Sequence, residues 1–263
     1  MAPNGQNGTG ANLAFTKFIF LLPYQEDAAT LLKIRSAGSN ICRGFFNDYD
    51  ADGSRDVQPQ ETMQFLQSDA PSEGRQGIGA ARFVAHLSAN YRPRLEEVVG
   101  ELKRRIAGAA DVIVLDGAER ATRYTSAEMH NYAYKPAQPR ASGRTARNAV
   151  IIPMSKAAGW WEKSALERHS YFYPHQDSAG CPVHGHAKAA EPGIPTIFRK
   201  LYHNPDGYQR PNEFDFITYF ECTDENIALF EQVCRALRDE RQNPEWKYVL
   251  EGPEWRGKRV LRW

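Results

Sequence analysis

Two apolar runs separated by a turn constrain this chain more than any other feature. Residues 195–203 and 214–221 are rich in Phe, Ile, Thr and Tyr, and Asn204, Pro205, Asp206 and Gly207 fall between them. Such runs read as strands, and such a tetrapeptide as a turn. Strands joined so closely pair antiparallel. Around this pair the pattern predicts a strand at 149–153 and a helix at 156–173, with Ser155 as N-cap and Trp161, Ala165 and Phe172 on or near one face. A second helix at 226–240 turns Ile227, Phe230, Val233, Cys234 and Leu237 inward, and residues 246–250 read as the last strand. The order βαββαβ describes a ferredoxin-like antiparallel sheet with helices on one face.

The first half holds a fainter version of the same elements. Residues 14–22 read as a strand ended by Pro23, residues 26–36 as a short helix, and 111–116 as a buried strand. Leu95, Val98, Leu102 and Ile106 recur at three- and four-residue spacing, which predicts a helix at 95–107. The expected fold class is therefore α+β, with tandem ferredoxin-like units forming an antiparallel α+β barrel. The units are residues 13–145 and 146–263, behind a disordered lead at 1–12, and a basic, Pro- and Gly-containing linker at 134–148 joins them.

Charge excludes more than it suggests. There are 33 basic and 32 acidic residues, so nothing favours nucleic acid or an anionic membrane as partner. The four cysteines are scattered with no C-x-x-C pair, as expected of reduced cytoplasmic thiols. The polar N-terminus and the Lys17-interrupted run after it give neither a signal peptide nor a membrane span. Asp48, Asp50, Asp52, Gly53 and Asp56 fit the start of a calcium loop. Position 12 of that loop is Pro59 where a bidentate Glu is needed, so a solvated acidic turn is expected.

Chemistry-bearing residues gather in the second half, which holds five of the seven histidines. His175, Cys181, His184 and His186 lie within twelve residues. Imidazole and thiolate serve zinc and haem iron alike, so these residues read as a zinc clip, as haem ligands, or as an inert polar loop. Arg199 stands in an apolar strand. A permanent cation there needs an anionic ligand or a carboxylate, and Asp215 and Glu221 on the next strand are the carboxylates on offer.

Several stretches then resemble one family. They are residues 149–153 before Trp160 and Trp161, residues 164–168, the run Phe198, Arg199, Lys200, Leu201, Tyr202, His203, and residues 214–221. Over roughly 149–250 the chain resembles the chlorite dismutase family of haem proteins, which also includes coprohaem decarboxylases. The first half is similar only at its opening strand. The resemblance implies a dimeric α+β barrel within each subunit, one haem b in the C-terminal unit, and a ring-shaped homo-oligomer, a pentamer rather than a dimer. It implies Arg199 as the distal arginine. It implies His186 or His175 as the iron ligand, because about eleven extra residues at 174–185 separate the anchors, and counting back from Arg199 favours His186. Glu240 or Glu245 would accept the ligand's N–H, Trp160 and Trp161 would line the pocket, and Tyr132 would contact a propionate. The implied activity is conversion of chlorite to chloride and dioxygen, or peroxide chemistry, on a small anionic substrate. The alternatives are a haem or coprohaem handling protein, and a zinc-binding protein built on Cys181, His184 and His186.

Overall fold

The computed structural model describes residues 15–41, 43–47, 61–68, 76–119 and 145–263. The lead at 1–12, the acidic loop at 48–56, Tyr132 and most of the 134–148 linker lie outside the described residues.

The first half runs β1 (Phe15–Pro23), α1 (Ala28–Ile41), the short β2 (Phe46–Asn47), β3 (Glu61–Gln67), β4 (Phe83–Ala89), α2 (Arg92–Arg105) and β5 (Ala110–Ala118). The second runs β6 (Asn148–Lys156), α3 (Ala158–Trp161), α4 (Ala165–Ser170), β7 (His175–Gln176), β8 (Pro182–Val183) and α5 (Gly185–Ala190). It continues with β9 (Phe198–His203), β10 (Phe216–Cys222), α6 (Ile227–Arg238), β11 (Val249–Glu251) and β12 (Trp255–Val260). Side by side, the strands order β5-β1-β4-β3 in one half and β9-β10-β6-β12 in the other. Each is the ferredoxin-like order. β12 pairs with β3, and β5 meets β9 at Ala118 and His203, so eight strands close into a barrel. Closure removes the free edges that an open sheet would expose.

Alternate residues of each strand face opposite sides of the sheet. Phe18, Phe20, Val84, Ile151, Ile217, Tyr219, Tyr202 and Trp255 fill the barrel interior. In the first half the outer face packs under α1 and α2 as a continuous apolar core that includes Ile19, Leu21, Phe65, Phe83, Leu87, Leu95 and Leu102. The second half differs. α6 covers Val150, Ile152 and Cys222 with Phe230, Val233 and Cys234, and that cluster is smaller. Burial pushes both Cys222 and Cys234 thiols up to about 11, which makes them inert core residues. The outer face of β9 carries Arg199, Leu201 and His203 in place of a second apolar layer.

Buried charges are paired. Lys17, which interrupts the first apolar run, is 2 % exposed and bonds Asp116 and Glu96. Arg259, on the inward face of β12 with Trp255, donates to Glu221 at 2.7 Å. Both side chains are fully buried. Glu221→Gln keeps the shape but removes the charge that this guanidinium faces at 2.7 Å, so a cost of about 2 kcal/mol is expected. The midpoint of urea unfolding measures it, and an unshifted midpoint would refute the assignment.

Three expectations fail locally. The strand at 149–153 continues through Lys156, because Phe216 to Cys222 and Val249 to Glu251 both pair with it. Ser155 is therefore no helix cap; its hydroxyl accepts the Asp215 N–H at 3.2 Å. The single helix at 156–173 is two short ones, and the second starts at a capping box. Ser164 Oγ accepts the Glu167 N–H, and the Glu167 carboxylate accepts the Ser164 N–H. Residues 246–250 are not the closing strand. Pro244–Tyr248 form a 3-10 turn, β11 is a three-residue addition beside β6, and Trp255–Val260 closes the barrel. Trp255 is wholly buried and donates its indole N–H to Ala81 O at 2.9 Å.

Candidate functional site

The segment that follows β6 lies against the outer face of the second half's sheet, where Trp161 meets Phe216. Trp160 is 2 % exposed and packs on Tyr171 and Tyr248, each with ring centroids 5.8 Å away. Its indole Nε1 is buried and has no hydrogen-bond partner among the described residues. Trp161 is half-buried and stacks on Tyr208 and Phe216 at 4.7 and 6.3 Å.

The extra residues at 174–185 fold into a small hairpin of their own, β7 paired with β8. His175 is exposed there, with Nδ1 3.0 Å from Tyr173 O. Cys181 and His184 are exposed as well. Among the described residues no three His, Cys, Asp or Glu side chains gather as a metal site. The zinc clip of Cys181, His184, His186 and His175 is thus not assembled.

His186 opens the helix after the hairpin. The chain passes so close to the end of α4 that a Cβ on Gly185 would lie 2.6 Å from Tyr173 O and 2.9 Å from Phe172 O. Gly185 also has φ +68°, so glycine is required on both counts. Its N–H donates to Gln242 O at 2.9 Å, and the His186 N–H to Tyr171 O at 3.2 Å. The His186 ring lies nearly parallel to Phe172, centroids 5.6 Å apart.

Glu245 sits opposite. Asn243, wholly buried, bonds Leu237 O through Nδ2 and fixes the turn after α6 that carries the carboxylate. Glu245 Oε2 lies 3.1 Å from His186 Nδ1, and Lys156 Nζ donates to Glu245 Oε1 at 2.5 Å. The Lys156 ammonium lies 4.3 Å from the centroid of the Trp160 ring. Burial alone would raise the Glu245 carboxyl; the Lys156 charge, then His186, outweigh it and hold the group well below the usual carboxylate range. Glu245 is thus an anion at any ordinary pH, and as the acceptor facing Nδ1 it draws a hydrogen to that nitrogen. Nε2 has no hydrogen-bond partner among the described residues.

Of the paired candidates, the structure brings together His186 and Glu245 and separates His175 and Glu240. Glu240 is exposed and makes no hydrogen bond to the described residues. The sequence reading assigned no site role to Lys156, Phe172 or Gly185. The signal for Gly185 was its place between two histidines; for Lys156 there was none once the segment read as helix.

Arg199 is half-buried on the outer face of β9, opposite Phe220 in register. The two carboxylates offered by the sequence hold other groups. Asp215 accepts the Lys156 and Gln209 backbone N–H groups at 2.9 and 2.5 Å. Glu221 faces the barrel interior with Arg259. Among the described residues no helix is long and apolar enough to cross a membrane.

No protein-family model matches the chain, and no curated protein matches it in sequence. Solved structures do match. The chlorite dismutase of Candidatus Nitrospira defluvii in complex with imidazole is similar at TM-score 0.65 and 18% identity, over 96% of this chain and 92% of that one. A mutant of that enzyme in complex with cyanide gives 0.60 and 16%, over 94% and 90%. A double mutant gives 0.64 and 17%, over 94% and 91%. Likeness along nearly the whole chain at such low identity is a statement about backbone architecture: this chain has the chlorite dismutase fold.

Proposed function

We propose that the protein is a haem b oxidoreductase acting on a small anion, chlorite first and hydroperoxide second, with His186 as the iron ligand and Arg199 on the substrate side. The observation that carries this reading is the relay of Lys156, Glu245 and His186. A carboxylate on the far nitrogen orients an imidazole and raises its basicity toward a metal. The residues present fit a haem in a second respect. The buried Trp160 N–H, without a partner among the described residues, suits an acceptor such as a propionate. A haem held by His186 would supply an iron able to take a small anion. Chlorite dismutases of this fold were crystallised with imidazole and with cyanide, ligands of the size such a position admits.

The work of the chain itself follows. His186 holds the metal side through Nε2, and Glu245 keeps the proton on Nδ1. Trp160, Trp161 and Phe172 exclude water. Arg199, always cationic and weakly hydrated, would attract the anionic substrate and hold it on the substrate side. Tyr132 would add a propionate contact. The subunits would assemble as a homo-oligomer, a pentamer before a dimer.

Dioxygen release from chlorite by the haem-loaded protein tests the activity. Arg199→Ala should lower kcat by about 10²–10³-fold, as removal of an anion-stabilising donor does, with haem content unchanged. Full turnover in that variant would refute the role of Arg199. Stoichiometric haem without dioxygen release in the parent would favour a haem or coprohaem handling protein.

A further inference from the structure

On the same sheet face, Tyr208 and His203 join Trp161 in an arrangement that reading leaves without a role. Tyr208 follows the turn after β9. Its hydroxyl oxygen lies 2.9 Å from His203 Nδ1, and its ring stacks on Trp161 with planes 16° apart. Asn204 holds the turn, accepting the Asp206 N–H and donating to Glu213 and to Phe214 O. His203 is wholly buried and lies on the outer face of β9 with Arg199. Tyr208 and Trp161 are half-buried. A phenol that loses an electron becomes a strong acid, so its oxidation is favourable only with a base already in hydrogen-bond reach. Imidazole is such a base near neutral pH. A stacked indole gives the electron a short path toward the face that carries Arg199.

We propose that Trp161, Tyr208 and His203 form a one-electron relay, through which the site oxidises small phenols when a hydroperoxide is the oxidant. The proposal rests on the haem reading. In each half-cycle Tyr208 gives one electron by way of Trp161, and its phenolic proton passes to His203 Nδ1. A neutral tyrosyl radical and an imidazolium result. An outside phenol then returns an electron, the proton goes back from His203 to Tyr208, and the phenol releases its own proton. Two phenols become two phenoxyl radicals, their electrons and protons reducing one hydroperoxide to an alcohol and water.

The test has two arms. Haem-loaded protein, its Soret band verified first so that failure of the haem reading registers there, is mixed with tert-butyl hydroperoxide and frozen for electron paramagnetic resonance. The parent should give a tyrosyl signal that narrows with ring-deuterated tyrosine. Tyr208→Phe should lack that signal and lose guaiacol oxidation while keeping its haem, and His203→Gln, which bonds the hydroxyl but takes no proton, should lower the radical yield. In the second arm haem-free protein is oxidised with hexachloroiridate(IV), and the trapped tyrosyl signal should again be absent from Tyr208→Phe. An equal tyrosyl signal in parent and Tyr208→Phe, in either arm, overturns the relay whether or not haem binds.

Discussion

Haem uptake is expected to vanish in His186→Ala and to persist in His175→Ala. The reason lies in what each ring can offer. His186 has its Nδ1 on an anionic carboxylate, its ring nearly parallel to Phe172 and its Nε2 without a hydrogen-bond partner among the described residues. His175 is exposed on a two-strand hairpin, with Nδ1 against a backbone carbonyl. An axial ligand must be held before the metal arrives, because orienting a loose side chain costs entropy that binding must offset. Absorption spectra of the haem-titrated parent and the two variants decide the matter. A histidine-ligated Soret band surviving in His186→Ala would remove His186 from the site. The same band lost in His175→Ala would move the ligand to the hairpin.

Glu245→Ala should destabilise the fold by about 3–5 kcal/mol, the range for removing one partner of a buried ion pair. Lys156, 7 % exposed, would keep its charge against Trp160 with no anion to balance it. Acid should act on the parent through the same group. The folded Glu245 pKa lies far below its ordinary value of 4.5, so its stabilisation is fully present above that value. It is lost as pH falls below that value and through the folded pKa. In chemical denaturation of parent and Glu245→Ala, the stability difference should be largest near neutral pH and narrow as pH falls from 4.5 toward 3, because the folded pKa lies lower still. Parallel curves would mean that the carboxylate is not held down by its neighbours. Glu245→Gln should also weaken haem iron binding by about 10–100-fold, as loss of a partner behind a metal ligand does.

Much of the second half was legible because its signals are local. The strands at 198–203 and 216–222, the turn between them and the helix at 227–238 follow from periodicity and turn chemistry within a few residues. Arg199 drew attention because a cation in an apolar strand needs an explanation wherever it occurs. The first half was fainter. Glu61–Gln67 and Phe83–Ala89 pair with each other and with β12 or β1, and their register depends on those partners. The segment after residue 153 misled for the same reason. Lys156 and Ser155 suit a helix start by propensity, but β10 and β11 offer them ladder partners, and tertiary pairing overrides a local preference worth under about 1 kcal/mol per residue.

The sequence by itself determined the alternation of elements, hence the α+β class and the tandem ferredoxin-like halves, because side-chain period and turn chemistry are written within one stretch of chain. It also supplied the pairs His175 or His186 and Glu240 or Glu245. Only the tertiary structure decided which members meet. Closure of the barrel sets β6, whose last residue is Lys156, beside the turn that carries Glu245, and the close approach at Gly185 brings His186 to both. Those three residues span ninety positions, and no local rule relates groups that far apart. The charge balance among them, which holds Glu245 ionised, exists only once the chain has folded.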